Sequence, residues 1–154
     1  MKGNFYEDLY DGKRGEHMVA AALKERNHTI TDVSDDWYYR FNDIDFLLEN
    51  SKHQTTSLEV KNDMASERTG NLFIETYNSG NEHHSYKGWF FYCAAEYICF
   101  LQETAHKAHI VLFDELKKHM AAKPYRTANS SNARGYLLPL DELKQFNSYK
   151  LLEV

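Results

Sequence analysis

Two short segments, 43–48 and 56–61, alternate apolar and ionisable residues with a period of two, and a polar turn from Glu49 to Gln54 separates them. In Leu58-Glu59-Val60-Lys61 the pleat of a strand turns Leu58 and Val60 to one face and Glu59 and Lys61 to the other. In Asp43-Ile44-Asp45-Phe46-Leu47-Leu48, likewise, Ile44, Phe46 and Leu48 alternate with Asp43, Asp45 and Leu47. The pattern reads as a β-hairpin, and such a hairpin brings Asp45 near Glu59 or Lys61. Two carboxylates and an ammonium then share one patch. Aspartate is disfavoured inside strands, so two of them entering an apolar strand call for a reason. A strand-start cap suffices for Asp43. It does not suffice for Asp45, which lies deeper, beside Phe46 and Leu47. For Glu-Val-Lys taken alone, a solvated charged face is the simplest account.

The surrounding segments set a fold class. A helix is predicted from about Gly12 to Asn27, followed by a polar stretch from Thr31 to Arg40 that holds Trp37, Tyr38 and Tyr39. Leu72 to Tyr77 reads as a third strand. The run Trp89 to Leu101 is ambiguous, with Ala94, Ala95 and Glu96 ending a helical turn before a strand at Tyr97. His109 to Phe113 reads as a strand, with Asp114 as N-cap of a helix over 115–122. Lys123 to Gly135 is loop-like, and Tyr136 to Leu140 precedes a second Asp-capped helix at Asp141. This order predicts an α/β sheet with helices packed on it. No linker interrupts the 154 residues, so one domain, 1–154, is expected.

On the first helix, positions 16, 19, 20 and 23 share a face, so Glu16 heads the apolar stripe Val19, Ala20 and Leu23. Complementing the helix dipole, a gain of about 0.3–1 kcal/mol, explains a surface glutamate well and an inward one less well. A cluster of Asp45, Glu59 and Glu16 repels itself unless something neutralises it. A hard divalent cation such as Mg²⁺ does this with carboxylate, water and phosphate oxygens. It also polarises a phosphoryl group and activates bound water. Lys61 is placed to orient that water and to offset charge developing on the phosphate.

Asp45, thirteen intervening residues and then Glu59-Val60-Lys61 resembles the signature of the PD-(D/E)XK nuclease superfamily, the restriction-endonuclease-like fold. Gly15-Glu16 opening the Ala20-Ala21-Ala22-Leu23 helix, and Asp43-Ile44-Asp45, resemble its resolvase-like members. Thr69-Gly70-Asn71 leading into Leu72-Phe73-Ile74-Glu75 resembles the following strand in phage-type nucleases. Ile44 stands where the family has proline. The resemblance covers about residues 12–77, and more weakly 89–113. It implies an αβββαβ core, a central mixed β-sheet flanked by helices. It also implies a Mg²⁺-dependent deoxyribonuclease, an endonuclease, with Mn²⁺ as an alternative ion and DNA as partner. Asp45 and Glu59 would be metal ligands, Lys61 the catalytic lysine, and Glu16 an accessory acid on the metal, directly or through water. The alternative is a non-catalytic nucleic-acid or protein interaction domain on the same fold.

The formal net charge of −5 speaks against a nucleic-acid binder. Some of those acids, however, are the proposed cation ligands. The bases are uneven too: residues 116–140 hold Lys117, Lys118, Lys123, Arg126 and Arg134 and no acid. That stretch suits backbone phosphate contacts and suits a solvated surface equally. The eight histidines include His83-His84 and the pair His106 and His109, but none shows zinc-finger spacing. Most are expected at the surface, with a histidine of the 81–84 loop near substrate. Cys93 and Cys99 sit in an apolar run without a catalytic Cys–His context. Glu75, an acid in an apolar strand, either joins the site or faces solvent. Met1 to Tyr10 is polar and acidic without an apolar h-region, and no run of ~18 apolar residues occurs. Neither a secretory signal nor a membrane span is expected. A reducing cytoplasm suits the cysteine usage. A homodimer is compatible with cutting both strands, the aromatic run Trp89 to Tyr97 supplying its surface.

Overall fold

The computed structural model describes residues 5–154, with side chains from residue 12 onward. Much of the polar opening, and the expectation that it carries no leader, therefore lies outside the described residues. Among the described residues six strands form a central mixed sheet in the order β1 (Thr29–Asp32), β2 (Phe46–Glu49), β3 (Thr55–Asn62), β5 (Tyr97–Gln102), β6 (Lys107–Leu112) and β9 (Lys150–Glu153). The expected hairpin forms: β2 and β3 are antiparallel, with Phe46 opposite Leu58. β3 and β5 are parallel, which requires the chain to cross over between them. The other pairs of this sheet are antiparallel.

The period of two that is legible in the sequence decides how each face is covered. Helix α1 (Phe5–Glu25) lays Val19, Ala20, Ala22 and Leu23 on Phe46, Leu58, Val60, Cys99 and Leu101. Ile98 and Phe100, the alternate residues of β5, face a second cluster with Trp89, Phe113, Leu116 and Leu138. Fully burying a side chain of this size contributes about 1.5–3 kcal/mol, and successive residues of β5 anchor opposite faces.

The crossover carries α3 (Ala65–Thr69), β4 (Asn71–Asn78), a single 3-10 turn at Glu82–His84 and α4 (Trp89–Tyr92). The third predicted strand forms, as β4, but leaves the central sheet. It pairs with β8 (Ala133–Pro139), which in turn pairs with β7 (Thr127–Asn129) in a separate three-stranded sheet. Its alternation explains the departure. Leu72 and Ile74 are fully buried in the Trp89 cluster, so β4 packs over one face of the central sheet rather than along its edge. Gly88 lets the chain entering α4 pass close against β4, because a Cβ there would fall 2.3 Å from the Glu75 backbone oxygen.

Several boundaries differ from the sequence reading. Helix α5 runs Phe113–Ala121 and α6 runs Leu140–Leu143, so Asp114 and Asp141 are first-turn residues and not N-caps. Burial of Phe113 and Leu140 draws each chain into helix earlier. The acids still sit where the helix dipole favours them. The Lys123–Gly135 loop contains β7 and the start of β8. The polar stretch 31–40 hides α2 (Trp37–Phe41), whose N-cap Asp36 accepts the Tyr38 backbone N–H. The 89–101 run resolves as α4 and then β5, and Trp89 packs inward against Phe90, Phe100 and Phe113. Of the proposed dimer surface, Trp89, Cys93 and Ala95 are thus core, Phe90, Tyr92 and Tyr97 are half-buried, and Phe91, Ala94 and Glu96 are exposed. No described helix is long and apolar enough to cross a membrane.

Candidate active site

Strand β3 supplies the first two groups. Glu59 and Lys61 share a face, as two-residue spacing requires, and Lys61 Nζ lies 3.0 Å from Glu59 Oε1. Lys61 Nζ lies over the Trp89 ring, 5.2 Å from its centre. On the opposing chain Asp45 falls just before β2, not within it. It keeps ladder-like bonds all the same: its N–H donates to the Leu58 carbonyl, and its carbonyl accepts from Val33 N–H. The carboxylate is buried, and its Oδ2 accepts the Val60 N–H at 2.9 Å.

Asp43 is the residue the sequence undervalued. It is no strand-start cap. The chain leaves α2 through Asp43 in the left-handed region, φ 57°, a conformation uncommon outside glycine. That turn sends the side chain to Lys61, where Oδ2 accepts from Nζ at 2.6 Å. Sparsely populated backbone conformations concentrate at functional sites. Burial alone would lower the Lys61 pKa, but Asp43 and Glu59 together hold it well above the usual lysine value. Lys61 is a fixed cation.

Glu16, one turn from Lys13 on α1, completes the set from the other side. Lys13 Nζ stands 3.5 Å from its Oε2. The Glu16 carboxyl is in side-chain hydrogen-bond contact with Asp45, and Asp45 is in turn in contact with Glu59. The three acids thus form a row, Glu16 to Asp45 to Glu59. Among the described residues no three His, Cys, Asp or Glu side chains are grouped closely enough to hold a metal ion together.

Burial dominates the electrostatics. It raises Glu59 well above the usual carboxyl range, against the pull of Lys61, and raises Asp45 against the Val60 N–H. It lifts Glu16 to about 7, with the Asp45 charge adding to the effect. The buried Glu59 Oε2 has no hydrogen-bond donor to accept from, and Glu16 Oε2 has Lys13 Nζ no nearer than 3.5 Å. Acid-to-acid contacts of this kind are satisfied by a shared proton or by a cation. Hard oxygen donors suit Mg²⁺ or Mn²⁺ and not a soft, thiolate-seeking ion, so the residues present fit that group.

A stability signature follows. Glu16 has its pKa raised from 4.5 to about 7 on folding. Its contribution to stability is therefore complete below pH 4.5 and lost as pH rises through 7. In EDTA the melting temperature should fall between pH 5 and pH 8. Saturating Mg²⁺ should restore it at pH 8 by binding the folded state, and Glu16→Gln should flatten the profile. Calorimetry at the two pH values checks this, and a Tm indifferent to both pH and Mg²⁺ contradicts it.

The neighbouring cleft has a volume of about 600 Å³ and is lined by Lys61, Asp63, Phe73, Glu75, Trp89 and Tyr92, among others. Asp63 is tied down by the Ser66 and Phe73 N–H groups. Glu75 belongs to the cleft, not to solvent: burial raises its pKa and it lies within electrostatic reach of Lys61. It reaches the cleft because β4 left the central sheet. The basic stretch is less available than its composition suggests. Lys123 pairs with Glu142 at 2.8 Å, and Arg134 lies over the Tyr77 ring. Cys93 donates to the Asp43 carbonyl and its thiol is pushed up to about 12, so it is inert. His109 is buried between Tyr149 and Gln102, contrary to the expectation of a surface residue. No protein-family model matches the chain, and no curated protein or solved structure matches it.

Proposed function

We propose that the chain is a metal-dependent nuclease of the restriction-endonuclease-like kind, hydrolysing phosphodiester bonds in DNA. The observation that carries this reading is the row of three carboxyl groups, Asp45 and Glu59 buried and Glu16 half-buried, beside the half-buried Lys61 ammonium. Such an arrangement destabilises the protein unless it serves a charge that arrives later. Asp45 and Glu59 would hold Mg²⁺, or Mn²⁺ in its place, with Glu16 holding it directly or through water. The bound ion supplies Lewis-acid polarisation of the phosphoryl group and a more acidic water.

The chain's own residues do the rest. Lys61, kept protonated by Asp43 and Glu59, donates to a non-bridging phosphate oxygen and offsets the charge that develops there. Because it is a fixed cation it orients the attacking water as a donor and is not the base. Asp43 is a positioning residue that fixes the Lys61 ammonium. The cleft between β3 and β4 admits the backbone, and Trp89 at its wall excludes water from one side of Lys61.

Incubation of plasmid and branched DNA with the wild-type protein tests the reading. Strand scission in Mg²⁺ and its loss in EDTA are expected. Scission that continues undiminished in EDTA, or no scission of any DNA with Mg²⁺ or Mn²⁺, contradicts it.

A further inference from the structure

Helix α2 turns large rings outward beside the candidate site. Trp37 is 78 % exposed, Tyr38 55 % and Phe41 47 %, and positions 37, 38 and 41 share one face of the helix. Soluble proteins seldom leave three such rings in water on five residues without a use for them. The rings also continue inward. Phe41 lies 4.2 Å, centroid to centroid, from the His84 imidazole, which stacks on Tyr92 at 3.7 Å and 8°. Tyr92 lines the cleft that contains Lys61. The residues immediately after Phe41 bind this wall directly: the Asn42 carbonyl accepts Ala94 N–H, and the Asp43 carbonyl accepts Cys93 Sγ. A line of rings, the Phe41–His84 pair tilted by 35° and His84–Tyr92 stacked, therefore runs from the surface to the wall of the cleft that also holds Lys61.

We infer that the Phe41–His84–Tyr92 stack is a platform for an unpaired nucleobase, holding one nucleotide of the substrate by stacking while its backbone lies at Lys61. The inference rests on the nuclease reading and narrows it to polynucleotides with unpaired bases near the reacting phosphate. Three features favour this occupant. The rings lie 3.7–4.2 Å apart, Phe41 is half-exposed, and Tyr92 at the inner end lines the cleft. Stacking on aromatic side chains is sequence-tolerant because every base has a π-face. Arg40, exposed on the same short helix, adds a cation for a flanking phosphate. The unpaired base has two sources, a single strand or a base displaced from a duplex at a bulge or branch. The chemistry at the platform is the same for both.

The test measures binding without turnover, by fluorescence anisotropy in Ca²⁺ on the Glu59→Gln background. The probes are a labelled 20-mer single strand, the blunt duplex of the same sequence, and that duplex with one bulged nucleotide. Adding Phe41→Ala should weaken binding to the single strand, the bulged duplex or both by about tenfold, the loss of one stacked base. It should leave the blunt duplex unchanged, and Phe41→Trp should retain binding. Which of the first two probes is affected identifies the source of the base. Phe41 is half-exposed, and circular dichroism confirms that its variants fold. Affinity of Phe41→Ala unchanged from its parent on all three probes, equal loss on all three, or no binding of any polynucleotide overturns the inference. Stacking-dependent binding by a wild-type protein that never cleaves defeats the nuclease reading alone. Cleavage with Phe41→Ala neutral on every probe defeats the platform alone.

Discussion

Glu59→Gln is expected to reduce Mg²⁺-dependent cleavage by at least about 10³-fold and to raise the melting temperature at the same time. The two effects share one cause. Glu59 is a buried carboxyl in contact with the buried Asp45, and its Oε2 finds no hydrogen-bond donor. The amide keeps the shape, removes a charge that burial disfavours and supplies a donor toward Asp45. Lys61 retains Asp43 at 2.6 Å, so no ammonium is stranded. Relief of this kind is worth about 1 kcal/mol in active sites that trade stability for chemistry, or roughly 3 °C for a chain of this length. Cleavage fails because an amide is a poor ligand for a hard cation, and the phosphate then loses the ion's several kcal/mol of charge stabilisation. Steady-state cleavage and differential scanning calorimetry measure the two halves. A fall in Tm would instead make Glu59 a structural partner of Lys61.

Lys61→Ala should also reduce cleavage, by about 10²–10³-fold, the range for one preorganised electrostatic group. Its effect on stability has the opposite sign. The ammonium lies 2.6 Å from Asp43 and 3.0 Å from Glu59, and without it both carboxylates lose their compensating charge. Breaking a buried pair from one side costs about 3–5 kcal/mol, moderated here because the pair is partly exposed and burial favours a proton on Glu59. The Tm loss should accordingly shrink as pH falls from 8 to 5. Lys61→Met separates charge from packing, since it keeps an unbranched apolar chain of similar length without the ammonium. It should be as inactive as Lys61→Ala while recovering part of the stability. Cleavage retained within tenfold by both variants would remove Lys61 from the mechanism.

What the sequence exposed of this fold was local. The 43–48 and 56–61 alternation foretold the hairpin, and with it Asp45 beside Glu59, because a turn of a few residues leaves the pairing little freedom. Lys61 beside Glu59 follows from the pleat alone. Glu16 was legible through its place at the head of an apolar helical stripe. Three features were not legible. Asp43 reads as a strand residue, and only its left-handed backbone, reached at the end of a helix hidden in a polar stretch, aims it at Lys61. Glu75 was ambiguous because its strand pairs with residues 133–139, a partner that no local pattern names. The ends of the sheet were missed for a third reason. β1 and β9 are short, largely exposed edge strands whose residues carry little apolar alternation. Asp36 before an aromatic run was the one overlooked signal, since an Asx N-cap can announce even a five-residue helix.

The central claim is that Asp45 and Glu59 hold a divalent cation, and cation-directed cleavage of the polypeptide tests it most directly. Fe²⁺ is loaded in place of Mg²⁺, and ascorbate with peroxide then generates hydroxyl radicals at the bound ion, which cut the nearest backbone. The expected result is scission within 43–46 and 58–61, with a weaker cut beside Glu16. Excess Mg²⁺ should suppress these cuts, and the Asp45→Asn, Glu59→Gln double variant should lack them. Scission confined to other segments, or cuts at these strands that persist in the double variant, would contradict the account.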